Sequence, residues 1–525
     1  MTPAEFATLV VERWPDTAPP RRAGPGVLEV PCAPTVLPAL CKTLFHEWGL
    51  RFAGLYVEDE GGEWHLRYVF YGGGADGWVH ALSTLPRTER SIPSIAGVVH
   101  AADWHERETE DLFGLVFEGH PRLGDFVLHD EAWPEGVAPM RRSFDRRTIP
   151  ADRDPTPDRH PRRLVHAPGA FVLPIGPVFA GLAESVHFQL ETVGEDVIRA
   201  FPRLFYKYRA VEKIAEGRRA EDVLLLAERF AATTAVAHAL AYSQAVERVC
   251  GASVPPRAEA LRVLLAELER FRHHAGAIAG ICESTALAVA TSQASLLEER
   301  LLRVSGALAR HRYLMGAVVP GGLALDLPDE ACTAALSACR EVLAAADHLW
   351  GMLRLSSSFL DRIEEVGAIG EHDAREHGLV GPIARASGVS GDLRALQPYG
   401  GYRHLSFFPA HEREGDGYAR LRVLFTEMRQ SVRLMEQVCA GLAPGPVRAS
   451  LTWREGAALG AVEAPRGAAF HWVRLNADGS VRRYRVVPPS FTNWHGFHLA
   501  VENFAFQDFP IILATLDPSV SENDR

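Results

Sequence analysis

The stretch Glu228-Arg229-Phe230-Ala231-Ala232-Thr233-Thr234-Ala235-Val236-Ala237-His238 restricts this chain more than any other. From Phe230 to Val246 it carries no Asp, Glu, Lys or Arg. The pattern predicts a long buried helix that starts here and runs on through Ala241 and Val246. A helix without a polar face needs neighbours on every side, so it belongs inside a large helical assembly.

At 525 residues the chain is too long for one ordinary domain, and two or three are expected. The net charge of −11 argues against a nucleic-acid binder, which needs a strongly basic face. Seven cysteines, an odd number with no C-x-x-C pair, fit a reducing compartment with buried free thiols rather than a disulfide framework. The same absence removes the usual zinc or cluster spacing. The start of the chain lacks the basic region and apolar core of a secretory signal. No run reaches the about 20 apolar residues needed to span a bilayer, so any membrane role is expected to come through partner subunits.

Residues 27–30 and 64–71 read as strands, and 37–48 between them reads as a helix with Leu37, Leu40, Cys41, Leu44 and Trp48 on one face. Gly72-Gly73-Gly74 reads as a turn, because no Lys-Ser/Thr follows to make a phosphate loop. Next comes the dense cluster Asp103-Trp104-His105-Glu106-Arg107-Glu108-Thr109-Glu110-Asp111. Taken alone, it is expected to be a solvated helix face laced with salt bridges. Between Asp145 and Val165 the chain turns to alternating Arg, Asp and Pro with no apolar period, which marks a linker.

Beyond the linker, 186–193 alternates like a strand, and Val193-Gly194-Glu195-Asp196 reads as the turn of a hairpin. Helical spacing then dominates to about residue 440. Pro255-Pro256 marks one helix start, and Leu297, Leu301, Val304 and Leu308 mark another helix. Strand patterns return at 469–475 and 482–487 around the turn Asn476-Ala477-Asp478-Gly479. The last apolar run, from Phe509, reads as a strand tucked into the core. The fold class is therefore α+β: a small N-terminal α+β domain (1–145), a linker (146–168), and a mainly α-helical bundle domain with flanking β-hairpins (169–525).

Ordered motifs carry a resemblance. The Glu106-Arg107-Glu108 helix, the segment Phe117-Glu118-Gly119-His120-Pro121 and the element Pro139-Met140-Arg141-Arg142-Ser143-Phe144 resemble the 30-kDa subunit of respiratory complex I. Downstream stand Tyr208-Arg209-Ala210-Val211-Glu212-Lys213, Ser253-Val254-Pro255-Pro256-Arg257-Ala258-Glu259, Gly381-Pro382-Ile383-Ala384-Arg385-Ala386-Ser387-Gly388, Asp392-Leu393-Arg394 and Glu463-Ala464-Pro465-Arg466-Gly467. These resemble the 49-kDa subunit of complex I and the large subunit of group 4, membrane-bound nickel–iron hydrogenases. The fused order of the two parts is similar to that of the formate hydrogenlyase large subunit.

The resemblance implies a site and shows what it has lost. In the hydrogenases four cysteines, in two Cys-x-x-Cys limbs, hold the metals. Here those positions are Ala231 and Thr234 in the first limb and Ser519 and Glu522 in the second. Soft thiolates are what nickel and iron need, so no native nickel–iron centre and no hydrogenase activity are expected. In complex I the emptied chamber reduces quinone, using a His on the first hairpin and a Tyr at the first limb. His187 falls near the His position, Arg229 stands at the Tyr position, and the supporting Asp falls about Glu283–Ser284. Arg229 can donate to a quinone oxygen, but a guanidinium is a poor proton source. The bland alternative pairs Arg229 with a buried carboxylate and leaves His187 to pack. Arg209 matches an arginine that lies beside the terminal iron–sulfur cluster of the partner subunit; its bland alternative is a surface pair with Glu212. His238 and His274 read as satisfied core histidines.

Two functions remain open at this point. One is electron transfer from a partner iron–sulfur cluster to a quinone-like acceptor in a metal-free cavity. The other is a non-catalytic scaffold. Both place the chain at the cytoplasmic face of the inner membrane as a peripheral subunit. The implied partners are an iron–sulfur small subunit of the complex I 20-kDa type and membrane subunits of the quinone-module or antiporter type. The chain binds no cofactor by itself in this reading. No G-x-G-x-x-G opens a helix after a strand, so NAD would enter only through other subunits. An open apolar channel ending at His187 and Arg229 would favour chemistry; a cavity plugged by side chains would favour scaffolding.

Overall fold

The computed structural model describes the chain apart from residues 1–2, 15–16, 25, 73–76, 135, 150–163 and 179–183. Most of the expected linker and most of the expected Gly72-Gly73-Gly74 turn therefore lie outside the described residues. In the N-terminal part, alternating apolar residues form a five-stranded mixed sheet. Its order is Arg21–Gly24, Val27–Pro31, Trp78–Pro86, Glu63–Tyr71, Arg51–Glu60. Only the pair Val27–Pro31 and Trp78–Pro86 is parallel; the others are antiparallel. The helix expected over 37–48 is a helix Leu37–Lys42 that widens into a π turn Thr43–Glu47.

The acidic helix Asp103–Phe113 corrects an expectation. Its charged face is not solvated: Glu106 and Glu108 are 0% and 1% exposed. The neutralising charges come from far along the chain. Arg525 Nη2 lies 2.8 Å from Glu108 Oε1, and Arg485 pairs with Glu108 Oε2. A helix read by itself cannot disclose such partners.

The C-terminal part begins with a three-stranded antiparallel sheet, Ala170–Ile175, His187–Val193 and Asp196–Arg203. Long helices follow at Ala235–Cys250, Pro256–Ser284, Ala288–Ala309, Asp329–Leu353 and Gly417–Ala440. A second antiparallel sheet, Gly456–Ala464, Gly467–Leu475 and Val481–Val487, packs on the helix Ala235–Cys250. Gly460 permits that contact, because a Cβ there would fall 1.8 Å from the Ala241 carbonyl oxygen.

The family motifs meet in a buried ionic core. Arg385 lies 2.6 Å from Glu427 and 2.8 Å from Glu463, and Arg394 lies 2.6 Å from Asp392 and 2.9 Å from Glu267. Charges removed from water must be paired and hydrogen-bonded, and here Arg394 has two carboxylates and Arg385 a third, Asp392, at 3.7 Å. All seven cysteines are free, and only Cys439 is not fully buried. No single described helix is long and apolar enough to cross a membrane.

The last apolar run corrects a second expectation. It is tucked into the core, but as the helix Phe509–Leu516 and the short turn Val520–Asn523, not as a strand. Pro510 sits in the first turn of that helix, where its missing N–H costs nothing.

Candidate functional site

The predicted continuous helix through residues 228–246 is broken at the first limb. A helix Ala220–Arg229 ends, a 3-10 turn Ala232–Thr234 follows, and the helix Ala235–Cys250 restarts at 109° to the first. The cause is a side chain from the next helix. The Glu269 carboxylate accepts the N–H groups of Val236 at 2.7 Å and Ala237 at 2.9 Å. Those donors would bond to preceding carbonyls in an unbroken helix; satisfied by Glu269, they make a new N-terminus instead. Arg272, on the same helix as Glu269, binds the Thr233 carbonyl.

The second limb is built by comparable means. Asp517 takes a left-handed φ of 46° and ends the helix Phe509–Leu516. The Ser519 hydroxyl then caps the next turn, accepting the Glu522 N–H at 3.3 Å. The Glu184 carboxylate accepts the N–H groups of Val520 at 2.6 Å and Ser521 at 3.0 Å.

The two limbs meet. The Thr234 hydroxyl donates to Glu522 Oε1 at 3.1 Å, and Arg466 Nη1 lies 3.4 Å from the same oxygen. The Ser490 N–H donates to Glu522 Oε2 at 3.2 Å. Arg466 also reaches Asp517 at 3.2 Å and the Thr233 hydroxyl at 3.2 Å. All four lost-ligand positions, Ala231, Thr234, Ser519 and Glu522, are buried. Burial pushes the Glu522 carboxyl up, but His238 and the Arg466 charge outweigh it and hold it down at about 2. It is a carboxylate at neutral pH.

Behind Glu522 runs a buried polar chain. His238 Nε2 stands 3.9 Å from Glu522 Oε1; His238 Nδ1 and His471 Nε2 are 3.0 Å apart; His471 Nδ1 and the Tyr484 hydroxyl are 2.9 Å apart. Burial, with His238 and Arg525 nearby, keeps His471 well below its ordinary range and therefore neutral. His274 is likewise buried and bonded to Glu427 at 2.8 Å.

These residues do not fit a nickel–iron centre. The limbs offer a methyl, two hydroxyls and one carboxylate, with no soft thiolate. The single anion among them is already paired with a guanidinium, which opposes any further cation.

Among the remaining predicted residues, Arg209 bonds to both limbs. Arg209 is a staple: it donates to the carbonyls of Phe230 at 2.8 Å, Ser521 at 2.5 Å and Asp524 at 2.9 Å. It thus ties the first limb to the second. Glu212 lies elsewhere, buried with Arg485 at 3.1 Å and Arg525 at 3.3 Å, so the Arg209–Glu212 surface pair does not form. Arg229 lies at the rim with 57% of its side chain exposed, paired at 3.2 Å with the buried carboxylate of Glu228. His187 opens the strand His187–Val193 opposite Arg203 and is half-buried. Glu283 and Ser284 end the helix Pro256–Ser284; Glu283 is exposed, and the Ser284 hydroxyl donates to its own helix at Ile281.

Comparison with known proteins accords with this architecture. Residues 30–149 match the family "Respiratory-chain NADH dehydrogenase, 30 Kd subunit", and residues 285–455 and 448–525 match the 49 Kd subunit of the same chain. Residues 209–275 match the nickel-dependent hydrogenases. Formate hydrogenlyase subunit 5 of Escherichia coli is 30% identical over 500 residues, covering 93% of this chain and 87% of the relative. This chain belongs to the complex I and nickel–iron hydrogenase large-subunit family. Within that family, hydrogenase-4 component G of E. coli is 29% identical, with 93% of this chain and 86% of the relative covered. The fused C/D polypeptide of the NADH-quinone oxidoreductase of Bdellovibrio bacteriovorus is also 29% identical, with 83% and 82% covered.

Several residues of the site carry no sequence signal of their role. Arg466 stands inside a family motif, yet nothing local ties it to Glu522, 56 residues away. His471 and Tyr484 read only as strand residues. Glu269 likewise stands inside the motif Glu267-Leu268-Glu269-Arg270-Phe271-Arg272-His273-His274 without any local sign of the backbone donors it takes, and nothing around Glu184 marks it as a cap.

Proposed function

We propose that this chain is the fused core subunit of a membrane-associated oxidoreductase of the complex I and group 4 hydrogenase type. It rests peripherally on the cytoplasmic face of the inner membrane. In this reading its former metal chamber is a buried ionic clamp that holds a docking scaffold together. The carrying observation is the Thr234–Glu522 hydrogen bond at 3.1 Å, with Arg466 beside it, where the two limbs meet. The clamp holds the limb surface rigid for an iron–sulfur small subunit of the 20-kDa type. Membrane subunits of the antiporter type then supply the attachment to the bilayer.

A second reading is favoured by Arg229. Its exposed guanidinium stands at the rim beside the first limb. There it can donate to one oxygen of a quinone-like acceptor, with His187 serving the other, while electrons come from the partner cluster. A guanidinium is a poor proton source, so the protons must come from elsewhere. NAD enters this scheme only through other subunits.

Co-purification with the neighbouring chains tests both. The clamp reading expects Glu522→Ala to lose assembly, and Arg229→Ala and His187→Ala to assemble without change in any turnover. The quinone reading expects the last two to assemble normally and lose quinone-dependent oxidation. Stoichiometric nickel in the native complex would overturn both.

A further inference from the structure

At the far end of the helix Pro489–His495, whose Ser490 holds the second limb, histidines from three separate elements converge. His100 opens the 3-10 turn His100–Ala102, His377 caps the end of the helix Glu371–Glu376, and His495 is the last residue of the helix Pro489–His495. One ligand nitrogen from each lies within 4.8 Å of the other two. The ring centroids are 4.4 Å apart for His100 and His377, 4.8 Å for His100 and His495, and 5.0 Å for His377 and His495. His377 and His495 are only 8% and 6% exposed, whereas His100 is half-buried, so the cluster opens on its His100 side.

Two of the rings already have their second nitrogen engaged. His377 Nδ1 lies 3.0 Å from the Asp373 carbonyl oxygen, which can only accept, so this nitrogen carries the proton and Nε2 is left with its lone pair. His495 Nε2 lies 3.4 Å from Asp103 Oδ2, and Asp103 is held from its other oxygen by His120 at 3.0 Å. A carbonyl or carboxylate behind the ring is what fixes the tautomer of a metal-binding histidine and raises its basicity. Gly378 brings the parts together: its φ is +69°, and a Cβ there would lie 2.8 Å from the Cβ of Ala101.

We propose that His100, His377 and His495 bind a divalent transition-metal ion, Zn2+ by its chemistry, which pins the N-terminal part of the chain to the C-terminal part. Three imidazoles, with no carboxylate or thiolate among the ligands, suit zinc, and not magnesium or calcium. On a tetrahedral zinc with bonds near 2.0 Å, ligand nitrogens stand about 3.3 Å apart. Small ring rotations close the difference. The fourth position faces out on the His100 side, where water completes the shell.

The test uses the full chain, stripped with a chelator and titrated with Co2+ and then Zn2+. One equivalent of Co2+ is expected to give the visible d–d bands of a four-coordinate site, and Zn2+ is expected to displace it and raise the melting temperature. His100→Gln and His377→Gln each lower the affinity by more than about a hundredfold, beyond the about 10- to 100-fold that loss of an outer hydrogen-bond partner costs. His348→Gln, an exposed histidine elsewhere, leaves the titration unchanged. If His377→Gln fails to fold, His100→Gln at the open side decides the matter. No saturable one-to-one binding, or binding that survives loss of His100, overturns the proposal.

Discussion

Glu522 accepts from Thr234 and Ser490, faces Arg466, and is entirely shielded from water. Its carboxyl is held at about 2, against an ordinary 4.5. A depressed acid stabilises the fold above its unfolded pKa, and the contribution is lost as pH falls through the folded value. Unfolding measured by denaturant from pH 7 down to pH 2 should therefore show an acid limb between about 4.5 and 2 in the wild type. Glu522→Gln should lose that limb. At pH 7 the variant should be less stable by about 3 kcal/mol, the low end for removing one partner of a buried pair. A variant with an unchanged acid limb would mean that the carboxylate does not hold the limbs. The positions of this contact were legible: Ala231 and Thr234, like Ser519 and Glu522, repeat the family spacing. The partner was not, because Arg466 reaches the site through the fold and not through any local pattern.

The broken helix shows where reading elements from sequence fails. Residues 230–246 have the composition of one buried helix. What interrupts it is Glu269, a residue of the next helix that takes over two backbone donors. Burial pushes the Glu269 carboxyl up to about 7, despite Arg272 and those N–H groups. A raised acid stabilises the fold below its unfolded pKa, and that contribution is lost as pH rises through the folded one. The stability gap between wild type and Glu269→Gln should therefore shift toward the variant as pH rises from about 4.5 to about 7. Equilibrium unfolding at both ends of that range checks the sign; a pH-independent gap would contradict it. The C-terminal run failed for another reason: a short apolar segment has no period that separates strand from buried helix. The hairpin around Asn476-Ala477-Asp478-Gly479 was legible because its turn chemistry is local, and its strands are Gly467–Leu475 and Val481–Val487. Packing of that sheet gives a third prediction. Gly460→Ala places a methyl 1.8 Å from the Ala241 carbonyl oxygen. The cost should approach about 3 kcal/mol, the upper end for overpacking, read as a lowered denaturation midpoint with an unchanged slope.

At the scale of the whole molecule, buried charge joins the two ends of the chain. Glu108 and Glu212 share Arg485 and Arg525. Glu58 binds Arg474 and Arg67 and accepts from Trp472 at 3.3 Å, and its carboxyl is held at about 2 because these partners, Arg474 first and then Arg67, outweigh burial. Aromatic contacts run beside these pairs, with Tyr71 and Phe470 centred 5.6 Å apart and Trp104 and Phe491 5.8 Å apart. One apolar core spans both parts. Exposed ion pairs fade at high salt, but buried pairs are screened much less. A protease site inserted between residues 152 and 160, then cut, should therefore leave two fragments that co-elute at low salt and at about 1 M salt alike. Glu108→Gln in the cut protein leaves Arg485 and Arg525 to share Glu212 alone. That loss, about 3 kcal/mol for a broken buried pair, should lower the denaturant concentration at which the fragments part. Fragments that separate in salt alone would place the junction at an exposed electrostatic contact, and the buried network would then not be what holds the two parts together.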